Sequence, residues 1–341
     1  MQADLGNQKP DAAGRPAAPI PHVDPAATLL FVINDAAGSS GAEAKRAVIE
    51  TALAEHGRKG ELLVCESGDL ARVAAQAASA AAQRGSAVVA VGGDGSLNAV
   101  AQAAYAGGCA MGVIPYGTFN YFARTHGIPT DPAAASHLLL TAQPVPVQAS
   151  AINERVFLVN ASLGIYPQLL QDREAYKARF GRSRWVAKLA ALATMLRAQR
   201  TLQLSIQVDG TPRDLRALTL FMGNSRLQLE QFGADPEDTL DGTPGDGTLA
   251  ALVLKPVGPF AMAALALRGA LGRLGDAPGV DGFEFHEMRV TPKLRRGRTS
   301  IGVAFDGEVA SMSTPLHIRV LEQPLYLLKA AGSDGDTRGD P

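Results

Sequence analysis

The 341-residue sequence predicts an α/β domain followed by a mainly-β domain. From Thr28 onward, short apolar runs alternate with longer stretches of helical periodicity, as in a parallel sheet covered by helices. After Pro144-Val145-Pro146 the pattern changes to short alternating strands separated by Gly, Asn and Asp turns. The length also suffices for two cores, since domains typically hold roughly 100 to 200 residues.

In chain order, TLLFVIN (Thr28 to Asn34) reads as a buried strand, and AEAKRAVIETALAEHG (Ala42 to Gly57) as an amphipathic helix ended by its glycine. ELLVCE (Glu61 to Glu66) is a second strand, after which Asp69 is placed to cap a helix running to about Arg84. SAVVAVGG (Ser86 to Gly93) is a third strand, Ser96 to Ala106 a helix, and MGVIPYG (Met111 to Gly117) a fourth strand. The second half supplies VFLVNAS, TLQLSIQVDG, LRALTLFMGN, TLAALVL and LHIRVLE as strands. Two helical patterns interrupt it, at about Trp185 to Gln199 and Pro259 to Leu274. Residues 1–26 and 331–341, rich in small and polar residues, read as disordered tails around domains at 27–147 and 148–330.

The composition is that of a globular protein, with 46% hydrophobic and 19% charged residues. A formal charge of -1 gives no global attraction to nucleic acid, so no such partner is expected. The two cysteines, Cys65 and Cys109, read as idle thiols and fit a reducing cytoplasm better than a disulfide framework. No apolar run reaches the ~18 residues of a membrane-spanning helix, and the first residues lack the basic start and apolar stretch of a secretion signal. The six histidines show no metal-ligand spacing, and none is assigned a role.

The strongest chemical signal is VVAVGGDGSLNAVAQAA, where a buried strand ends in Gly92-Gly93-Asp94-Gly95-Ser96 and a helix follows through Leu97 and Asn98. Glycines let the backbone approach a polyphosphate, and exposed N–H groups with the helix dipole favour the anion. Ser96 and Asn98 add a hydroxyl and an amide. Asp94, the only acid of the loop, is a candidate to bind a hydroxyl or act through Mg2+. The alternative is a Gly-rich turn without a ligand. The spacing is neither that of a P-loop nor of a Rossmann dinucleotide fingerprint.

This loop resembles that of three kinase groups: the diacylglycerol and sphingosine lipid kinases, the NAD kinases and the 6-phosphofructokinases. PYGTFNYFARTHGIP (Pro115 to Pro129) singles out the first, resembling the lipid-kinase segment Pro-Leu-Gly-Thr-x-Asn-Asp-Phe-Ala-Arg through Gly117, Thr118 and Asn120. VINDAAGSSG resembles that family's opening Ile-Asn-Pro-x-x-Gly through Asn34 and Gly38, with Asp35 at the usual proline. Tyr121 replaces the family's usual acid, and Ala99 stands where many members carry Glu. The resemblance implies a phosphofructokinase-like α/β nucleotide-binding domain, then a β-sandwich domain, with ATP in the cleft between. It also implies a final segment, about 321–330, that returns to the first domain.

IGVAFDGEV (Ile301 to Val309) resembles the family's Asp-Gly-Glu signature, which assigns the catalytic base to Glu308, positioned by Asp306. Alone, an Asp-Gly pair between apolar runs reads as a hairpin turn. Asp94 is the competing base, the role it holds in the sphingosine-kinase branch, and the sequence leaves both open. GDGTLAALVL (Gly245 to Leu254) resembles the family's Asp-Gly-x-Leu stretch and implies a Mg2+ site at Asp246 with Thr243 and Thr248, while Asn224 and Arg226 match its Gly-Asn-x-Arg step.

Basic residues from Arg173 to Arg200 are interleaved with Trp185, Leu189 and Leu192, and Lys293, Arg295, Arg296 and Arg298 form a second cluster. These are either solvated helix faces or an anionic-membrane contact beside a lipid substrate. The expectation is therefore a cytoplasmic ATP- and Mg2+-dependent lipid kinase, peripheral at the inner membrane face. The oligomeric state stays open, a homodimer included. The rivals are an NAD or other small-molecule kinase sharing the loop, and a catalytically silent nucleotide-binding regulator.

Overall fold

The computed structural model describes residues 20–35, 41–66, 68–164, 201–224, 247–256 and 279–330. The chain forms two compact units, Met1–Val147 with Leu321–Pro341, and Gln148–Val320. The helical patterns expected at Trp185 to Gln199 and Pro259 to Leu274 lie outside the described residues.

The first unit opens with β1 (Leu29–Asn34), α1 (Ala42–Glu55), β2 (Gly60–Cys65), α2 (Leu70–Gln83), β3 (Ala87–Gly92), α3 (Asp94–Gly107) and β4 (Ala110–Pro115). Two further helices, α4 (Tyr121–Thr125) and α5 (Pro132–Thr141), lead into β5 (Gln143–Val147). The sheet order is β2, β1, β3, β4, then the last strand of the chain, β18 (Leu325–Lys329), and β5. β1 to β4 and β18 run parallel, and only β5 is antiparallel. α1 and α5 pack together on one face and α2 and α3 on the other. Every residue of β1, β3 and β4 is buried, as strands covered on both faces require.

Pro144 and Pro146 lie in β5 itself. The strand tolerates them because it is the sheet's edge, where a missing N–H leaves no neighbour unsatisfied. Asp69 stands at the N-cap position of α2 without capping it. Its carboxylate accepts instead from Arg72, 2.8 Å from Nη2. α5 is capped by side chain, with Asp131 Oδ2 accepting from the Ala134 N–H at 2.8 Å and Pro132 at the first helical position.

The second unit is entirely β among the described residues. One sheet orders β10 (Thr211–Ala217), β9 (Leu202–Val208), β14 (Glu287–Pro292), β17 (Leu316–Val320), β6 (Ser150–Ile152) and β7 (Arg155–Phe157). The other orders β13 (Val280–Phe285), β12 (Leu249–Leu254), β11 (Thr219–Gly223), β8 (Asn160–Gly164), β15 (Ser300–Phe305) and β16 (Glu308–Ser313). Their registered pairs are antiparallel. One apolar cluster joins the two, taking Ile206, Val290 and Ile318 from the first and Leu163, Leu220 and Val303 from the second. An α/β unit with an antiparallel β-sandwich unit is the fold class that the sequence predicts. Among the described residues no helix is long and apolar enough to cross a membrane.

His126, at the end of α4, packs edge-on against Phe122 at 4.5 Å between ring centroids. Burial, with the Lys329 ammonium adding to it, pulls its pKa down to about 4. The folded state therefore resists a proton that the unfolded chain accepts near 6.5. Stability is complete above that pH and falls as the pH drops toward 4, by on the order of 3 kcal/mol. Urea denaturation of wild type and His126→Gln across pH 7 to 4 checks this, and the variant is expected to show a flatter acid dependence.

Candidate functional site

β2 lies on one side of β1, and β3 and β4 on the other, so the winding reverses between β1 and β3. Open α/β sheets take ligands at such a switch point, outside the carboxyl ends of the strands. Asn34, the last residue of β1, donates through Nδ2 to Ser96 Oγ in the first turn of α3, at 3.0 Å. Both residues are buried. Lys45, on α1, reaches the same place, its Nζ 2.7 Å from the Asn34 carbonyl oxygen and 5.5 Å from the centroid of the Tyr116 ring. Burial lowers the Lys45 pKa, and the Asp35 carboxylate opposes that shift.

Lys45 is the main residue that pattern reading misses, because a lysine on an amphipathic helix is taken as solvated. A signal was present. The buried positions of α1 are Lys45, Ile49, Ala52 and Leu53, so the lysine occupies the apolar stripe.

α3 begins at Asp94, two residues before the sequence places it. Asp94, Gly95 and Ser96 are therefore a helical first turn, where N–H groups need no intrahelical acceptor and an acid suits the dipole. Gly93 holds the N-cap position, and no side chain caps the helix. Gly92 ends β3, its carbonyl accepting from the Tyr116 N–H at 2.8 Å. Leu97 and Asn98 are buried in α3, with the Leu97 N–H on the Gly93 carbonyl at 3.0 Å.

Gly117, just past β4, faces Gly93 directly. A Cβ on Gly117 would stand 2.7 Å from Asn120 Oδ1 and 3.0 Å from the Gly93 Cα. Only glycine fits there. Asn120, left-handed at φ 50°, accepts the Gly117 N–H through Oδ1 at 2.9 Å and leads into α4. Thr118 and Phe119 are exposed, and the Phe119 ring stacks on Tyr121 at 5.3 Å. Burial raises the Tyr121 pKa, and the Asp94 carboxylate adds to it against Arg124. The residue that replaces the family's acid thus lies within electrostatic reach of the acid of the glycine loop.

In the second unit, Asp306 and Gly307, at φ 45° and 84°, form the two-residue turn joining β15 to β16. Two successive positive φ values are those of a tight hairpin turn, the structural alternative for an Asp-Gly pair. The buried Asp306 carboxylate accepts the Leu158, Val159 and Asn160 N–H groups at 2.7, 2.8 and 3.1 Å. It thereby ties the hairpin to the start of β8. Glu308 opens β16 with a solvent-exposed surface. Partial burial of its carboxyl raises its pKa, the Asp306 charge adds to that, and Arg155 opposes it.

Asn224 is a buried junction of the same unit. Its Nδ2 donates to the Gln148 and Leu158 carbonyls at 3.2 and 3.0 Å, and its Oδ1 accepts from Gln148 Nε2 and Ser150 Oγ, each at 2.8 Å. Gln148 in turn bonds the Thr248 carbonyl at 2.9 Å and the Gly247 N–H at 2.8 Å. The turn before β12 is thus held by Gln148 and Asn224. Gly38, Arg226, Thr243 and Asp246 lie outside the described residues.

Residues 28–152 match the diacylglycerol kinase catalytic domain. The chain is 30% identical over 191 residues to a "probable lipid kinase YegS-like" protein of Cronobacter sakazakii, covering 54% of this chain and 60% of that relative. It is 28% identical over 271 residues to a protein of the same name from Pseudomonas putida, covering 79% of this chain and 84% of the relative. Its fold is similar to that of a diacylglycerol kinase from Bacillus anthracis, with a TM-score of 0.65 at 22% identity, over 89% of this chain and 97% of that one. The glycine contact and the Asn34–Ser96 bond both lie within the diacylglycerol kinase catalytic segment.

Gly117→Ala is expected to lower the unfolding free energy by about 1 to 3 kcal/mol, because the new methyl group meets backbone that cannot yield. Gly302→Ala, where an added Cβ meets nothing within 4 Å, is expected to stay within about 0.5 kcal/mol. Thermal denaturation of both variants checks the contrast, and equal melting temperatures would mean that the two strand exits do not meet.

Proposed function

We propose that this chain is a kinase that transfers the γ-phosphoryl group of ATP, with Mg2+, to a hydroxyl of a diacylglycerol-like lipid. The observation that carries this is the α3 N-terminus, capped by no side chain and flanked by two glycines in contact, inside a diacylglycerol kinase catalytic segment. Such an arrangement suits a polyphosphate, whose oxygens would accept from the first-turn N–H groups. The names of the relatives support a lipid acceptor. In this reading residues 27–147 are the nucleotide-binding catalytic domain and residues 148–330 the lipid-kinase C-terminal domain, with the segment 321–330 serving the first.

Bound Mg-ATP would supply the transferable phosphoryl group and the charge screening that the transition state needs. Gly92, Gly93 and Gly117 keep bulk away from the phosphates. Ser96 accepts from Asn34, which leaves its hydroxyl proton to donate to a phosphate oxygen. Gly38, Gly95, Leu97, Asn98, Thr118 and Asn120 complete the proposed nucleotide surface. Asp306, with its carboxylate on three backbone N–H groups, positions Glu308 and is also proposed to belong to the nucleotide-binding set. Asp246, with Thr243 and Thr248, is the proposed holder of Mg2+.

Glu308, with Asp94 as the alternative, takes the proton of the acceptor hydroxyl as its oxygen bonds to phosphorus and ADP leaves. The exposed Lys293, Arg295, Arg296 and Arg298 suit peripheral contact with anionic lipid. In this reading the protein works in the cytoplasm, at the inner membrane face.

A base must be ionised to accept a proton, and the Glu308 pKa is raised above 4.5. The acid limb of the rate is therefore expected above the ordinary glutamate range. Glu308→Gln is expected to slow transfer by about a hundredfold or more while Mg-ATP still binds by calorimetry. Labelled ATP assayed against a total lipid extract, NAD and sugars identifies the acceptor. If neither Glu308→Gln nor Asp94→Asn alters transfer to any of them, both base assignments fail. If the wild type binds ATP but transfers to none, the chain is a silent nucleotide-binding protein.

A further inference from the structure

The first unit holds a cavity of about 580 Å3 away from the glycine loop. It lies between the segment Ile20 to Pro25, the start of β1, the end of α5 and the edge strand β5. Leu29 lines it and opens β1, whereas Asn34 closes that strand five residues on, about 17 Å away at the rise of an extended chain. The cavity is thus separate from the carboxyl-end surface, and its volume is that of an ordinary small-ligand site.

Its walls are mostly apolar, from Leu29, Leu139, Leu140, Pro144 and Leu328. Into this setting Arg58 brings a half-buried guanidinium. Nη1 donates to the Leu140 carbonyl at 3.0 Å, which fixes the plane of the group. The Nε–H is buried and has no acceptor. Among the described residues no carboxylate pairs with the charge. A positive charge set against apolar walls is partly stripped of water, and an anion that binds it recovers part of the lost interaction.

We propose that this cavity binds a single-chain anionic amphiphile, its carboxylate or phosphate on Arg58 and its chain against the leucines. The site is independent of the nucleotide reading, since none of its lining residues belongs to the glycine loop.

The test is calorimetry on the full chain with decanoate, decyl phosphate and decanol, each below its micelle concentration. At least one anion is expected to bind with one-to-one stoichiometry, and decanol at least about tenfold more weakly. Whichever headgroup binds tells carboxylate from phosphate. Arg58→Gln is expected to reduce the anion to the level of decanol, and Arg58→Lys, which keeps charge without the fork, to fall between. Ala142→Trp, which fills the lining, is expected to abolish binding of all three. Mg-ATP titrated into each variant keeps the two readings apart, because its heat reports the glycine loop alone and is expected to be unchanged. Equal affinity for decanol and the anions, unchanged anion affinity in Arg58→Gln, or no saturable binding of either anion overturns the proposal.

Discussion

At Gly117 a methyl group would stand 3.0 Å from the Gly93 Cα, so neither strand exit can move without the other. That contact sets the level at which β3 and β4 release the chain, and the Tyr116 N–H on the Gly92 carbonyl continues the pairing to its limit. From there α3 must start at once, and it starts at Asp94 without a side-chain cap. Asn34 then ties β1 to the first turn of α3 through Ser96, while Lys45 ties α1 to the Asn34 carbonyl. A helix N-terminus at a topological switch point is thus held from β1, β4 and α1.

How much of this was legible in the sequence depended on whether a signal was local. The parallel strands β1, β3 and β4 were legible because burial on both faces writes them as unbroken apolar runs. The glycines of the loop were legible for the same kind of reason, since their spacing and composition point to close backbone approach. The partner of Gly93 was less so, because the crowding lies between residues 24 positions apart. The proline-rich stretch at β5 read as a boundary and is also an edge strand, which periodicity alone does not reveal. Lys45 was hidden because a lysine is read as solvated even where its spacing sets it on the stripe of Ile49, Ala52 and Leu53.

In the second unit the same limit applies to Asp306 and Asn224. An Asp-Gly pair reads either as a hairpin turn or as part of an acidic signature, and the structure makes these one thing. The left-handed turn aims the Asp306 carboxylate at the backbone of residues 158–160, and those three bonds hold the loop that carries Glu308. No pattern at Asp306 could name those backbone donors, since they lie about 150 positions earlier in the chain. Asn224 is legible as a motif position, but the residues that give it a job, Gln148 and Ser150, follow a proline stretch with no feature of their own.

The carboxylates considered for chemistry therefore differ in what they are free to do. Asp306 is engaged by three backbone donors, so its charge is fixed in place and acts on Glu308 through space. Glu308 keeps an exposed surface while burial and that neighbouring charge make ionisation harder, which moves it toward the range where a carboxylate can accept a proton at neutral pH. Asp94 sits in the first turn of α3, where an acid suits the helix dipole. Its charge falls on Tyr121, the residue standing where related kinases carry an acid. A phenol that resists ionisation there can donate a hydrogen bond where a carboxylate only accepts. The substitution thus adds a donor at this position within electrostatic reach of Asp94.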